Sequence, residues 1–319
     1  MSLPPVSIVI PTLNRESCLM DTLDDLLKQE HGGLEIVIVD QSEQVSDKVI
    51  KFIENHDKQN ITLKYFLVNF KGLPRARNFG WQICSHEFII FIDDDVKIPT
   101  DFVTKHCIEL AAPRVALVAG GIDEAHRHEN KNPTRTGKFN YWTATPHRDF
   151  NSKVRQEVLQ APGGNFSVKQ GIIRRVGGFD EGLGIGAALY EETDFCLRVK
   201  RLEKVIIFSP DARLIHLAFS TGGCRVPEVP NYVWSLARNR TTIILRHLSW
   251  FHFFTAFVRL GLLIGSYTKS SRNLMTLLQG IRGIVEGVAL AHSAVKLTPF
   301  SVTNVVMQKV SARFNKFAV

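Results

Sequence analysis

Three aspartates in a row, Asp93-Asp94-Asp95, directly follow the apolar run Phe88–Ile92 (FIIFI). Adjacent carboxylates repel one another, and a bound cation is the natural reason to collect them. Oxygen ligands select hard metals such as Mg²⁺ or Mn²⁺, which usually share their shell with substrate phosphates. The competing reading, a solvated acidic turn, leaves their position at the end of a strand-like run unexplained. A further carboxylate, Asp40, ends the run Leu34–Asp40 (LEIVIVD) in the same way. It can accept hydrogen bonds from a base or ribose, or cap a following helix. After the first apolar run stands Pro11-Thr12-Leu13-Asn14-Arg15 rather than G-x-G-x-x-G, and the chain has no Walker loop. Both facts argue against a dinucleotide-dependent dehydrogenase and a P-loop NTPase.

The elements that must position these residues can be read from apolar patterning. Val6–Pro11, Leu34–Asp40, Ile61–Val68, Phe88–Ile92 and Val115–Ala119 are short runs rich in β-branched and aromatic residues, as expected of strands buried on both faces. Helical segments are expected between them: Arg15–Glu30, with Leu19, Leu23, Leu26 and Leu27 at helical spacing, a polar segment through Asp57, and Arg75–Cys84. Gly120-Gly121 is expected to close the fifth strand. Strands alternating with helices imply βαβ units and a mostly parallel sheet. Ligands of such sheets bind beyond the carboxyl ends of the strands, where Asp40 and Asp93–Asp95 stand. Asp123–Asp149 is polar and reads as a long loop. Then come a strand piece after Asn165, a basic helix Lys169–Val176, a helix Tyr190–Leu202, and strands Val205–Ser209 and Ala212–His216.

The 319 residues suffice for one large domain or two, and 45% hydrophobic with 22% charged residues excludes wholesale disorder. Five scattered cysteines (Cys18, Cys84, Cys107, Cys196, Cys224) without CxxC fit a reducing compartment and give no zinc cluster. Met1–Thr12 has no Lys or Arg before its short apolar run, so no secretory leader is expected there. The net charge of +8 is unevenly placed: from Arg238 onward there are 11 basic residues and one acidic residue, Glu286. Trp250–Tyr267 is strongly apolar but interrupted by His252 and Arg259, and Leu274–Ala291 is similar. Amphipathic helices on an anionic membrane surface are expected; packing on the catalytic domain or an oligomer interface is the alternative. Because these charges alternate with aliphatic rather than stacking aromatic residues, nucleic acid is not the expected partner.

Seven segments in order, VSIVIPTLNR (Val6–Arg15), IVIVD (Ile36–Asp40), GLPRARNFG (Gly72–Gly80), FIDDDV (Phe91–Val96), GGNFSV (Gly163–Val168), VGGFDE (Val176–Glu181) and YEETDFCLRV (Tyr190–Val199), resemble family 2 glycosyltransferases over roughly two thirds of the chain. The resemblance implies a GT-A fold, a nucleotide-sugar donor (UDP-, dTDP- or GDP-linked), a divalent metal and inversion at the anomeric carbon. Carried over by position, it assigns Pro11, Thr12, Asn14, Arg15 and Asp40 to the nucleotide pocket and places Arg77 near the donor. Asp93-x-Asp95 matches the DxD motif, with Asp95 and Asp93 on the metal and Asp94 on the ribose. His216, followed by Ser220-Thr221-Gly222-Gly223, fits the place of a metal-completing histidine. In Glu191-Glu192-Thr193-Asp194 it makes Glu192 the general base, where Asp is commoner, with Glu191 and Asp194 holding the acceptor or fixing the helix. Gly164 and Asn165 fall on the acceptor side.

The expectation is therefore an α/β GT-A catalytic domain over residues 1–237, its nucleotide-binding half ending at 122, and a basic helical region over 238–319. The expected activity is inverting transfer of a hexosyl or deoxyhexosyl group to a hydroxyl of a glycan or lipid-linked acceptor, on the cytoplasmic face of a membrane, as in polysaccharide or glycolipid assembly. A sugar nucleotidyltransferase would need a glycine-rich, Lys-bearing loop after Val6–Pro11, which is missing. A non-catalytic scaffold would not need an intact acidic triplet or the Glu191-Glu192 pair.

Overall fold

The computed structural model describes residues 3–55, 61–125, 135–219 and 226–310. Strands β1 (Val6–Thr12), β2 (Leu34–Asp40), β3 (Ile61–Val68) and β4 (Phe88–Ile92) form where the apolar runs predict. They are parallel, in the order β3-β2-β1-β4. Helices α1 (Glu16–Leu26), α2 (Asp47–Asn55) and α3 (Leu73–Ile83) make the crossovers. The strand order reverses at β1, so the crevice between the carboxyl ends of β1 and β4 is the switch point where ligands bind in such sheets.

The sheet continues from β4 through β10 (Asn165–Lys169), antiparallel to both its neighbours, to β6 (Val115–Glu124) and β11 (Val205–His216). The two-residue β5 (Val96–Lys97) pairs with the end of β11, setting His216 opposite Val96 and hence beside Asp95. Alternate residues of the strands feed two cores: Ile8, Ile10, Ile36 and Ile38 face α1, α2 and α4 (Phe102–Leu110). Val9, Val37, Phe91 and Phe166 face α3, α5 (Gln170–Val176) and α6 (Glu191–Lys200).

Three expectations are corrected. Gly120-Gly121 does not end β6, which runs on to Glu124. A Cβ on Gly120 would stand 2.3 Å from Asn165 Nδ2 and one on Gly121 2.9 Å from the Arg213 guanidinium, so these glycines admit neighbouring side chains rather than breaking the strand. The two expected strands 205–209 and 212–216 are one strand, β11, with an irregular register between Ser209 and Arg213. The described part of Asp123–Asp149 is ordered by the hairpin of β7 (Phe139–Asn140) and β8 (Thr145–Pro146), with Phe139 and Ala144 buried; residues 126–134 lie outside the described residues. A short strand β9 (Gln156–Glu157) pairs with β11.

Beyond the sheet, α7 (Val229–His247) runs unbroken through the expected boundary at 237/238. It is followed by α8 (Trp250–Ser271) and α9 (Leu274–His292), close to the two segments expected. The chain then returns to the catalytic domain, and β12 (Val305–Val310) adds antiparallel to β3 at the sheet edge. Neither α7 nor β12 announces itself in the sequence, because α7 buries Arg238, Asn239 and Arg240 instead of a clean apolar stripe.

Close packing of α3 on β1 depends on Gly80, whose Cβ would stand 2.4 Å from a Val9 methyl. Gly80→Ala is expected to lower stability by about 1–3 kcal/mol through overpacking, read as a lower thermal midpoint. A midpoint equal to wild type would mean that α3 can move away freely.

Candidate active site

The acidic triplet caps β4 at the switch point, and the neighbouring elements fix each carboxylate differently. Thr22 of α1 pins the turn, its hydroxyl donating to the Asp94 carbonyl (2.8 Å) and accepting from the Val96 N–H (3.2 Å). Asp94 accepts from Thr12 Oγ1 at the end of β1 (2.6 Å) and from Arg15 (3.1 Å). Burial pushes its carboxyl up to about 6, against the pull of Thr12 and Arg15. Arg15 also bridges to Asp95 Oδ2 (3.1 Å), which accepts in addition from the Phe219 N–H (3.2 Å).

Asp93, Asp95 and His216 bring ligand atoms within 4.8 Å of one another. Asp95 Oδ1 is buried and, among the described residues, faces only His216 Nε2, 3.3 Å away. The Asp95 carboxylate raises His216 above its ordinary value. Two carboxylates and one imidazole that converge in this way fit a divalent cation. The segment 220–225 expected to follow His216 lies outside the described residues.

Opposite the triplet, α6 begins at Glu191 after Tyr190 in the left-handed region (φ 68°), and its first turn carries the carboxylates. Two glycines join the acidic sites: a Cβ on Gly164 would stand 2.3 Å from Asp93 Oδ2, and one on Gly163 3.7 Å from Glu192 Oε1. This turn brings Asp93 and Glu192 against successive residues; a side chain at 164 would collide with Asp93, and one at 163 would crowd Arg77 Nη2 (3.1 Å). Arg77, 2% exposed, donates to Glu191 (3.1 Å) and to the Gly163 carbonyl (2.9 Å), tying the turn to α6. Arg148, from the loop after β8, lies 3.4 Å from Glu192 Oε1.

Burial works to raise both glutamates. At Glu192 the Arg148 guanidinium overcomes it and holds the carboxyl below its ordinary value. Burial and the Glu192 charge push Glu191 well up, in spite of Arg77. The negative charge of the pair therefore sits on Glu192, favoured further by the positive end of the helix dipole. The Glu191 carboxyl hydrogen-bonds to Glu192, and the buried Glu192 Oε2 has no other hydrogen-bond partner among the described residues.

The other expected residues divide. Pro11 and Thr12 finish β1 beside Val39 and Asp40, and the Asn14 N–H donates to Ser42 Oγ (2.9 Å). Asp40 accepts from Tyr65 Oη (2.7 Å) and the Ser42 N–H (2.8 Å), so the fold holds it at the same rim as Arg15. Asn165 is not available to an acceptor: fully buried, it donates to the carbonyls of Gly121 and Ala212, and its oxygen takes the His106 Nε2 proton (2.9 Å). Gly164 serves by leaving room for Asp93. Asp194 points away from the crevice, fully buried, accepting from Arg198 (2.8 Å) and His247 (2.8 Å). It fixes the helix rather than meeting substrate. Gly163, Arg148 and His247 were not singled out; a lone Arg in a polar loop and a His at a helix end carry no pattern that would mark them.

The sequence matches the family described as Glycosyl transferase family 2 over residues 7–177, more than half of the chain. The chain belongs to family 2 of the glycosyltransferases. This family 2 glycosyltransferase is 34% identical over 95 residues to the GalNAc(5)-diNAcBac-PP-undecaprenol beta-1,3-glucosyltransferase of Campylobacter jejuni, covering 29% of this chain and 30% of that protein. It is 26% identical over 212 residues to the pre-mycofactocin glycosyltransferase of Mycobacterium tuberculosis, covering 66% of this chain and 42% of the relative. The chain thus spans less than half the length of these two curated relatives. Among solved structures, a mannosyltransferase of Pyrobaculum calidifontis in complex with GDP-Man and Mn²⁺ superposes with a TM-score of 0.56 at 17% identity, over 92% of this chain and 77% of that one. The fold of the family 2 enzyme is accordingly GT-A.

Asp194 gives a test with a definite sign. Its carboxyl is held below the ordinary range: burial opposes this, but Arg198, His247 and Arg246 outweigh it. Such a group adds stability above its unfolded value of about 3.9 and loses it as pH falls through the folded value. Asp194→Asn, which leaves buried cations uncompensated, is expected to destabilise by about 3–5 kcal/mol at neutral pH. The gap to wild type should narrow as pH drops below about 4. Melting curves at pH 7 and in acid check it; a pH-independent gap would remove the charge role.

Proposed function

We propose that the enzyme transfers a sugar from a nucleotide-sugar donor to a hydroxyl of a glycan or lipid-linked acceptor, in one displacement that inverts the anomeric carbon. The observation that carries this reading is the buried Glu192 carboxyl, faced by Arg148 and one glycine turn away from the Asp93–Asp95–His216 set. A sugar hydroxyl is a poor nucleophile at neutral pH, and a carboxylate within hydrogen-bond reach takes its proton as attack proceeds. Glu192 is that base, and Arg148 keeps it ionised between turnovers. Glu191, its charge suppressed, spares Glu192 a like-charge neighbour and anchors Arg77.

The new bond forms from the acceptor oxygen to the anomeric carbon while the bond to the diphosphate oxygen breaks with its electron pair. With Glu192 against Gly163 and Asp93 against Gly164, a leaving group held on the Asp93 side would allow in-line attack with no covalent intermediate. Asp93, Asp95 and His216 would hold a divalent cation, with Mn²⁺ or Mg²⁺ as the candidates, and it would neutralise charge on the diphosphate. Arg15 sits where it can exchange Asp94 and Asp95 for a phosphate, since guanidinium serves both equally well. Thr12, Asn14 and Asp40 form the rim for the nucleoside, with a UDP-, dTDP- or GDP-linked sugar as donor.

Two substitutions test this reading separately. Glu192→Gln should fold and bind donor but lose transfer by about 10²–10⁴-fold; turnover near wild type with any accepted donor would reject the base. Asp95→Ala should abolish the difference in nucleotide-sugar affinity between Mn²⁺ and EDTA, measured by calorimetry. Metal-dependent binding that survives the substitution would remove Asp95 from the site.

A further inference from the structure

Helix α9 is built inside out for a protein surrounded by water, and α8 beside it carries a second exposed apolar face. The face that α9 buries is Thr276, Gly280, Gly283 and Gly287, at helical spacing. A Cβ on Gly283 would stand 2.5 Å from the Trp234 carbonyl, and one on Gly287 2.4 Å from the Arg238 carbonyl, so α9 lies directly on the backbone of α7. Its large apolar side chains point the other way: Leu274, Met275, Leu278, Ile281 and Val285 are each at least half exposed. Helix α8 packs in the ordinary way, burying Ala256, Leu260 and Ile264, yet it also exposes Trp250, Phe251, Phe254 and Leu262. In water, burial of large side chains drives packing and small residues are left outside. Small residues at the helix contact with large ones outward is the arrangement of helices whose outer surroundings are also apolar.

The border of this face states its partner's charge. Arg259, Lys269 and Arg272 are exposed around it, Arg282 pairs with Glu286 (2.7 Å), and Glu286 is the one acidic residue from 238 to the end of the chain. Three further basic residues of this region are spent inside: Arg238, Arg240 and Arg246 are hydrogen-bonded to the catalytic domain. Charges at mid-helix, on Arg259 and on Arg282 with Glu286, suit a pair lying in the headgroup plane rather than one crossing the hydrocarbon. The loop that leads to the base joins the same face. Trp142, 55% exposed, packs against His252 (4.6 Å) and Phe251 (6.2 Å), six residues before Arg148 beside Glu192.

We propose that the outer faces of α8 and α9, with Trp142, form a docking surface for an anionic lipid bilayer, sunk to the depth of the acyl boundary. The surface deepens the transferase reading by naming the lipid-linked class of acceptor. A sugar chain on a lipid anchored in that bilayer reaches Glu192 along the Trp142–Arg148 loop, while the donor enters from water at the β1–β4 crevice.

Flotation of the full chain with phosphatidylcholine vesicles, with and without phosphatidylglycerol, tests this. The wild type should float with the anionic vesicles, release in high salt, and show a blue shift of tryptophan emission from Trp142 and Trp250. The double variant Leu262→Glu, Val285→Glu should lose partitioning by about tenfold or more. Slow hydrolysis of the donor without vesicles should be equal in both proteins, since neither residue touches the site. Wild type that stays soluble with every vesicle, or a double variant that floats as well, would overturn the surface. A dimer that the double variant dissociates, without flotation, would assign the face to self-association instead. Loss of donor hydrolysis in both proteins with normal flotation would count against the transferase reading alone.

Discussion

Charge crowding is the constraint on which this molecule depends. Asp93, Asp94, Asp95, Glu191 and Glu192 border one crevice, and carboxylates so close in a poorly hydrated site cannot all ionise unless cations face them. Arg15 bridges Asp94 and Asp95 from the start of α1, Arg77 holds Glu191 from α3, Arg148 faces Glu192 from the β8 loop, and His216 faces Asp95 from the end of β11. Each counter-charge comes from a different element, so the crevice is electrostatically viable only in the fully docked fold. The compensation is thin among the described residues: Asp95 Oδ1 has His216 alone on one side, and on the other the Oε2 atoms of the paired Glu191 and Glu192 have no further donor. Unmatched buried oxygens are costly unless a ligand supplies their partners.

Helix α6 is held from two sides through its first turn. Its first turn meets the crevice through Glu191 and Glu192, and Asp194 locks the next residues to His247 at the end of α7. Arg246, next to His247, reaches Asp180 (2.6 Å) and the last carbonyls of α9 through Leu290 (2.7 Å). Catalytic domain and C-terminal helices therefore share one buried polar network, and β12 closes the arrangement by joining the sheet at β3. The helical region is not an appendage on a linker. The outer faces of α8 and α9 are thereby held in fixed register with Glu192.

Much of the fold was legible because buried parallel strands must be apolar on both faces. Val6–Pro11, Leu34–Asp40, Ile61–Val68 and Phe88–Ile92 could therefore be found without knowing their neighbours, and the residues ending them had to lie on one rim. The acidic triplet and the Glu-Glu pair were legible for the same kind of reason: clustered carboxylates are unfavourable unless they serve something. Helix α7 was hidden because its buried face is polar, and β12 because an edge strand with one ladder needs no strong pattern.

By itself, the sequence determined the strands, the crevice-facing acids, the family and the basic, apolar character of the C-terminal quarter, all properties of residue type and local spacing. Only the tertiary structure decided which carboxylate is which. Asp194 reads like its neighbours but is paired with Arg198 and hydrogen-bonded by His247, four and fifty-three residues away, and Asn165 is consumed by carbonyls of two other strands. Glu192 is distinguished from Glu191 by Arg148 and Arg77, which share no pattern with it along the chain. The direction in which α9 faces was also undecided until packing chose the glycine side. Hydrophobic periodicity reports that a helix has two faces; which one meets protein depends on how closely another backbone can approach.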